Sequence, residues 1–274
     1  MTSLANLGPP GLGVDTHAHV FHRNLQFAPQ RRYTPDYDAY PQDYLALLDR
    51  HGIQHGVLIA LSVLGSDNSY LLQTLAENRQ RLRGIITMDP KLGPDAIAAL
   101  DQQGVVGLRV NLTGDLPIPD FESDDWQAVL AACRRHAWQV ELNDRACRLP
   151  LTVKPLLKAG VAIVVDHFGV PDTALGTEDP GFRFLLDCAA TGSVWVKLSG
   201  PHRSSFTVAR AAAPLLRKAF GPERLLWGSD WPFTGHEGKG LDYGRMTASL
   251  TDWLPDSDER RIVLVDTPQK LFRF

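Results

Sequence analysis

The chain is predicted to fold as an α/β protein, a (β/α)8 TIM barrel in a single domain spanning 1–274, and three observations predict it. Short apolar runs, β-branched or bounded by glycine, alternate eight times with amphipathic stretches, the pattern of parallel strands joined by helical crossovers. The length of 274 residues suits a barrel, which typically needs about 250. A doubly wound open sheet, the rival architecture, expects a glycine-rich phosphate loop after the first strand, and the sequence has none there.

The apolar runs lie at 12–16, 57–61, 84–88, 105–110, 139–142, 161–165, 194–198 and 225–227. Runs this short, apolar on both sides, read as strands buried on both faces. Helices are expected at 43–51, 67–79, 94–103, 123–136, 151–159, 181–190, 207–220 and 241–253, with two further helices at 256–265 and 268–272. Asp67 is placed as an N-cap. Ser123, Asp124 and Asp125 form a helix-start signal. Gly104 stands where a C-cap glycine belongs. Long segments at 21–42, 112–122, 168–180 and 231–240 follow strands, and in a barrel such loops build the catalytic face.

Composition narrows the function classes. A hydrophobic share of 44% with 22% charged residues supplies a large core. A net charge of -3 gives no reason to expect nucleic acid or an anionic membrane as partner. No run of eighteen apolar residues appears, so no spanning helix is expected. Residues 1–10 lack a basic start followed by an apolar stretch and do not read as a secretory signal; 1–12 are expected to be loosely ordered. Cys133, Cys147 and Cys188 form no CxxC pair and read as reduced thiols of a cytoplasmic protein.

The sharpest chemical signal is Asp15-Thr16-His17-Ala18-His19 at the end of the first strand. Residues two apart on a strand share a face, so His17 and His19 both project into the barrel mouth. His167 follows the sixth apolar run. Asp230 ends the eighth, where a carboxylate is costly to bury without a partner; the alternative of a plain helix N-cap is weakened by Pro232 and the long loop. Arg109 leaves the fourth strand on the same face as Asn111. Arg203 lies in the seventh loop. An Arg fork suits bidentate carboxylate binding, although either Arg also reads as one half of a surface ion pair. Asn111 and Asn143, at strand ends, also read as turn residues.

These motifs carry a resemblance. Val14-Asp15-Thr16-His17-Ala18-His19 and Gly228-Ser229-Asp230-Trp231-Pro232 resemble the first- and eighth-strand motifs of the amidohydrolase superfamily, and Thr267-Pro268-Gln269-Lys270-Leu271-Phe272 its closing helix. Arg31-Arg32-Tyr33-Thr34-Pro35, Gly107-Leu108-Arg109-Val110-Asn111, Asp166-His167-Phe168-Gly169 and Lys197-Leu198-Ser199-Gly200-Pro201-His202-Arg203 are similar to the 2-pyrone-4,6-dicarboxylate lactonase and muconolactone hydrolase branch. The resemblance implies a hydrolase of aromatic catabolism that opens a lactone ring carrying anionic groups. Asp230 would be the general base. Arg109 and Arg203 would hold the substrate anions, with Tyr33 and Ser62 nearby, and His17, His19 and His167 would donate to the developing oxyanion. Alternatives within the superfamily are a metal-dependent decarboxylase and an amide or simple cyclic-ester hydrolase.

The cofactor is either none or one divalent metal (Zn). His17, His19 and Asp230 would be its ligands, with His167 or Glu141 as a fourth, in keeping with the N and O donors zinc accepts. The fourth strand offers neither Lys nor Glu, and the fifth, Val140-Glu141-Leu142-Asn143, offers no His. The resemblance implies a Lys or Glu on the fourth strand for a dinuclear site and a His on the fifth for a metal-dependent one, and Arg109 would repel a second metal. A dinuclear site is therefore not expected, and metal-free hydrolysis is the favoured reading. The expected partner is a small anionic molecule.

Overall fold

A computed structural model describes residues 13–114 and 116–274; the expectation for 1–12 lies outside them. The strands are β1 (Gly13–Ala18), β2 (Ile53–Ile59), β3 (Leu82–Ile86), β4 (Val105–Asn111), β5 (Gln139–Asn143), β6 (Ala162–Val165), β7 (Val194–Ser199) and β8 (Leu225–Gly228). All pair in parallel with their sequence neighbours in the order β1 to β8. The helices α1 (Pro41–Arg50), α2 (Ser69–Glu77), α3 (Gly93–Asp101), α4 (Asp124–Arg135), α5 (Leu149–Lys158), α6 (Pro180–Asp187), α7 (Phe206–Phe220) and α8 (Tyr243–Trp253) follow the strands in turn, and α9 (Ser257–Arg261) and α10 (Thr267–Phe272) end the chain. This is the expected (β/α)8 barrel.

Several boundaries differ from the sequence reading, for local reasons. β2 starts four residues before the predicted 57, because the half-buried Gln54 and His55 extend the pairing below the apolar run. The helix expected from 67 begins at Ser69: Asn68 occupies the cap position, and Asp67 supplies the hydrogen bond, its Oδ1 accepting from Ser69 N at 2.9 Å. The two terminal helices are continuous through a π-helical turn, Ile262–Asp266. Pro268 sits in the first turn of α10 and has no N–H to return to the preceding turn.

The floor of the barrel is apolar. Val14, Val57, Ile59, Ile85, Val106, Val164 and Leu226 fill it, and Phe272 from α10 plugs it from below. Above them the interior turns polar, with Glu141, Lys197, Arg109 and His17 buried. Eight hydrophobic strands thus enclose a charged upper layer, and that layer positions the site.

The first strand meets the last through three backbone contacts. Asp230 N donates to His17 O at 2.9 Å, His19 N donates to Trp231 O at 2.8 Å, and Ala18 bridges Trp231 in parallel. The barrel is sealed at the very residues that the sequence marks as chemical.

Candidate active site

His17 and His19 reach the interior because β1 carries a bulge. Its register against β2 slips between Asp15 and Ala18, inserting one extra residue. Strict alternation would put Asp15 inside with His17. Instead Asp15 accepts from Ser229 N at 2.8 Å, Ser229 Oγ at 2.6 Å and Tyr243 Oη at 3.0 Å. The first strand is thereby fastened to the segment that carries Asp230. Gly228 makes room for His17: a Cβ there would sit 2.5 Å from His17 Cβ.

The four residues singled out by sequence converge. His17 Nε2 lies 3.8 Å from Asp230 Oδ1 and His19 Nε2 lies 3.9 Å from it. The His17 ring is 5.1 Å from that of His19 and 4.7 Å from that of His167, centroid to centroid. His167 Nδ1 is 2.9 Å from Ser199 Oγ. His167 and Asp230 both sit at positive φ, 53° and 61°, a region that costs a non-glycine residue energy and is concentrated at functional sites. Gly200 lets them approach, since a Cβ there would stand 2.5 Å from His167 Nδ1 and 2.8 Å from Asp230 Oδ2.

Arg203 and His202 surround Asp230. Arg203 donates to both carboxylate oxygens, Nε to Oδ2 at 2.8 Å and Nη2 to Oδ1 at 3.1 Å, while its Nη1 binds Thr234 O. His202 Nε2 stands 3.1 Å from Oδ2. Burial alone would raise the Asp230 pKa, but Arg203, His167 and His202 hold it well below the ordinary carboxylate range. The histidines move the other way. Burial and the Arg109 charge lower His19 to about 3, burial lowers His167 to about 4, and burial pushes His17 well below its usual value. Three neutral imidazoles therefore face one ionised carboxylate near pH 7.

His19 Nδ1 is 2.8 Å from Ile59 O. A carbonyl only accepts, so Nδ1 carries the proton and the neutral ring presents a lone pair at Nε2. Sequence reasoning casts His19 as a donor towards the site; the Ile59 carbonyl makes it an acceptor.

Beneath these groups lies a charged layer that the sequence reading leaves largely without roles. Lys197 on β7 is fully buried, bonded to Glu141 Oε2, 3.5 Å from Asp166 Oδ1 and 3.2 Å from His17 Nδ1. Asp166 Oδ1 is 3.3 Å from His17 Nδ1. Burial and the Asp166 charge push Glu141 up to about 7. Arg109 Nη2 donates to Asp166 Oδ2 at 3.4 Å, while its buried Nε and Nη1 have no hydrogen-bond partner among the described residues, Nη1 lying 3.9 Å from Glu141 Oε1. The signal for Lys197 was available as a lysine inside the apolar run Val194–Ser199, which buries only with a partner.

The other expected residues divide. Tyr33 stands at the mouth beside Arg203, Glu237, Thr234 and Tyr37, and burial, with the Glu237 charge, raises the pKa of its hydroxyl. Arg32, whose pKa burial and the Arg203 and Arg109 charges lower, reaches the same mouth and packs over Gly114. Ser62 is exposed at the start of the short turn after β2. Asn111 follows its alternative reading: its Oδ1 accepts from Thr113 N at 3.1 Å, closing a turn. Asn143 lies opposite it in register at the end of β5, half-buried.

With that geometry, the amidohydrolase family model matches residues 14–274. The chain belongs to the amidohydrolase family. Among similar proteins, a 4-sulfomuconolactone hydrolase from Rhizobium radiobacter is 33% identical over 94% of this chain and 89% of its own. A 2-pyrone-4,6-dicarboxylate hydrolase from Comamonas testosteroni is 29% identical over 96% of this chain and 90% of its own. A solved structure from Acinetobacter baumannii, described as a probable 2-pyrone-4,6-dicarboxylic acid hydrolase with citric acid bound, superposes with a TM-score of 0.91 at 33% identity, covering 96% of this amidohydrolase and 99% of that chain.

Amidohydrolases of this superfamily often bind a divalent metal, and His17, His19 and Asp230 offer ligand atoms within 4.8 Å of one another. His19 fits such a role, with its Nε2 lone pair directed inward. The other two fit poorly as arranged. Both Asp230 oxygens are engaged by Arg203. Behind His17, Nδ1 faces the Lys197 ammonium at 3.2 Å as well as the Asp166 carboxylate at 3.3 Å. A metal-binding His ordinarily donates its second N–H to a carboxylate or carbonyl, and the ammonium, which can only donate, opposes that arrangement. Among the described residues no helix is long and apolar enough to cross a membrane.

Proposed function

We propose that this amidohydrolase opens the ring of a small lactone bearing carboxylate or other anionic groups, with Asp230 as general base and without a metal-bound nucleophile. The names of the relatives support the reaction class. The observation that carries the reading is a buried, ionised Asp230 in the same site as Arg109, whose Nε and Nη1 make no hydrogen bond among the described residues and are sealed from bulk water, with Nη1 3.9 Å from Glu141 Oε1. Buried guanidinium donors without partners are costly, and a substrate carboxylate relieves that cost by taking a two-pronged hydrogen bond.

In this reading the attacking water lies between Asp230 Oδ1 and His19 Nε2, two acceptors 3.9 Å apart. Asp230 takes one proton as the water oxygen attacks the ring carbonyl. The oxyanion that forms is met by His17 Nε2–H and by His167, each worth about 3 kcal/mol in the transition state. The ring C–O bond then breaks, and Asp230 returns its proton to the departing ring oxygen. Arg203 keeps Asp230 ionised and in place, and Arg109, with Arg32 and Tyr33 at the mouth, receives the anionic substituents.

A panel of carboxylated lactones followed by loss of ring absorbance, with solvent ¹⁸O traced into the product, tests this reading. Ring opening with one ¹⁸O per turnover is expected. Turnover of none of the panel, or carbon dioxide release without ¹⁸O uptake, overturns it.

A further inference from the structure

We infer that Lys197 is a positioning residue: its ammonium, anchored by Glu141, donates to His17 Nδ1 and so fixes His17 as the tautomer that presents Nε2–H to the reacting carbonyl. This rests on the proposed lactone-opening reading for its purpose, though not for its test.

The contacts around the ring decide the direction. Lys197 Nζ lies 3.2 Å from His17 Nδ1 with hydrogen-bond geometry, and Asp166 Oδ1 lies 3.3 Å from the same atom. An ammonium has three protons to give and no lone pair. A proton on Nδ1 would therefore set two donors against each other at 3.2 Å. Asp166 is the competing partner, and a carboxylate there would favour the opposite tautomer. Its Oδ1 nevertheless receives no well-aligned hydrogen bond, whereas Lys197 Nζ and Nδ1 stand in hydrogen-bond geometry, and of those two atoms only Nδ1 can accept. Asp166 is instead occupied by Arg109 at 3.4 Å and lies 3.5 Å from the same ammonium.

Glu141 holds the lysine in place. It bonds Nζ directly, and both side chains are fully buried. Glu141 and Lys197 enter the interior from β5 and β7, on either side of β6, which carries Asp166 at its end. Three adjacent strands thus fix the ammonium under the imidazole, and the buried, partnerless His17 Nε2 is left pointing at the site. With the opposite tautomer, the site would offer lone pairs from both His17 and His19 to an oxyanion, which repels them.

The test reads the tautomer directly. Protein with ¹⁵N-labelled histidine rings is examined by NMR at neutral pH, with His17 assigned by the signals lost in His17→Asn. A protonated Nε2 with an unprotonated Nδ1 is expected in the native protein; a protonated Nδ1 overturns the inference with no variant needed. The double variant Lys197→Met/Glu141→Gln removes one charge of each sign, a change that buried ion pairs often tolerate. Its His17 should pass its proton to Nδ1, towards Asp166, and kcat should fall about 100-fold with KM little changed. A folded double variant with the native tautomer or native kcat overturns the inference. Because the tautomer is read without substrate, an error in the proposed reaction would leave that result standing.

Discussion

Arg203 grips both carboxylate oxygens of Asp230, at 2.8 and 3.1 Å, from a loop 27 residues earlier in the chain. The sequence reading gives this Arg to the substrate; in the fold its guanidinium is already occupied by the base and by Thr234. Its effect should therefore be seen in proton affinity before it is seen in binding. The folded pKa of Asp230 lies below the usual 3.8, so the carboxylate form contributes stability that is present above that value and is lost as pH falls through the folded pKa. In Arg203→Gln the depression shrinks. The acid limb of the kcat/KM profile should move to higher pH, and acid unfolding should begin earlier. An unmoved acid limb would separate Arg203 from the base.

Asp230→Asn keeps the shape of the side chain and removes the base. kcat should fall by about 10²–10⁴-fold, the range typical of general-base loss, while the far-ultraviolet circular dichroism stays native. Near-normal turnover in this variant would remove Asp230 from the chemistry.

Arg109→Met should act on recognition. Loss of a charge-assisted hydrogen-bond pair costs roughly 1.5–3 kcal/mol, or about 10–100-fold in kcat/KM for a carboxylated lactone. A lactone of the same ring without the anionic group should lose little. Equal losses on both substrates would argue against an anion subsite at Arg109.

Gly228→Ala probes the seam without removing a polar group. Its new methyl would stand 2.5 Å from His17 Cβ, and overpacking of this kind costs about 1–3 kcal/mol. A thermal melt should show a Tm lower by several degrees, at about 2–4 °C per kcal/mol for a protein of this size, together with reduced kcat.

Exhaustive chelation followed by elemental analysis tests the metal-free chemistry. Protein with no detectable metal should keep its turnover. Activity lost with the metal and restored by zinc would show that His17 and Asp230 rearrange into ligands.

What was legible follows from how local each signal is. The barrel shows in the alternation of apolar runs and helices, because every strand in it is buried on both faces. His17 and His19 show because a two-residue spacing at a strand end puts both on one face, a relation that holds past the bulge though the bulge breaks it between Asp15 and His17, and Asp230 because a carboxylate closes an apolar strand. The bulge that turns Asp15 outward does not show, since it depends on the slip of β1 against β2. The partner of Arg203 does not show either, since two loops must meet before it is chosen. Lys197 lies between these cases: its burial follows from the run around it, but its neighbours come from β1, β5 and β6.

The weld between the first and last strands has a temporal consequence. His17 and His19 lie at the end of the first strand and Asp230 arrives more than two hundred positions later, yet the backbone bonds that join them are also the ones that seal the cylinder. A nascent or truncated chain lacking the eighth strand would carry its imidazoles beside an open edge, with no base to work with. Competence should appear in a single late event, so that recovery of turnover during refolding times the docking of that strand.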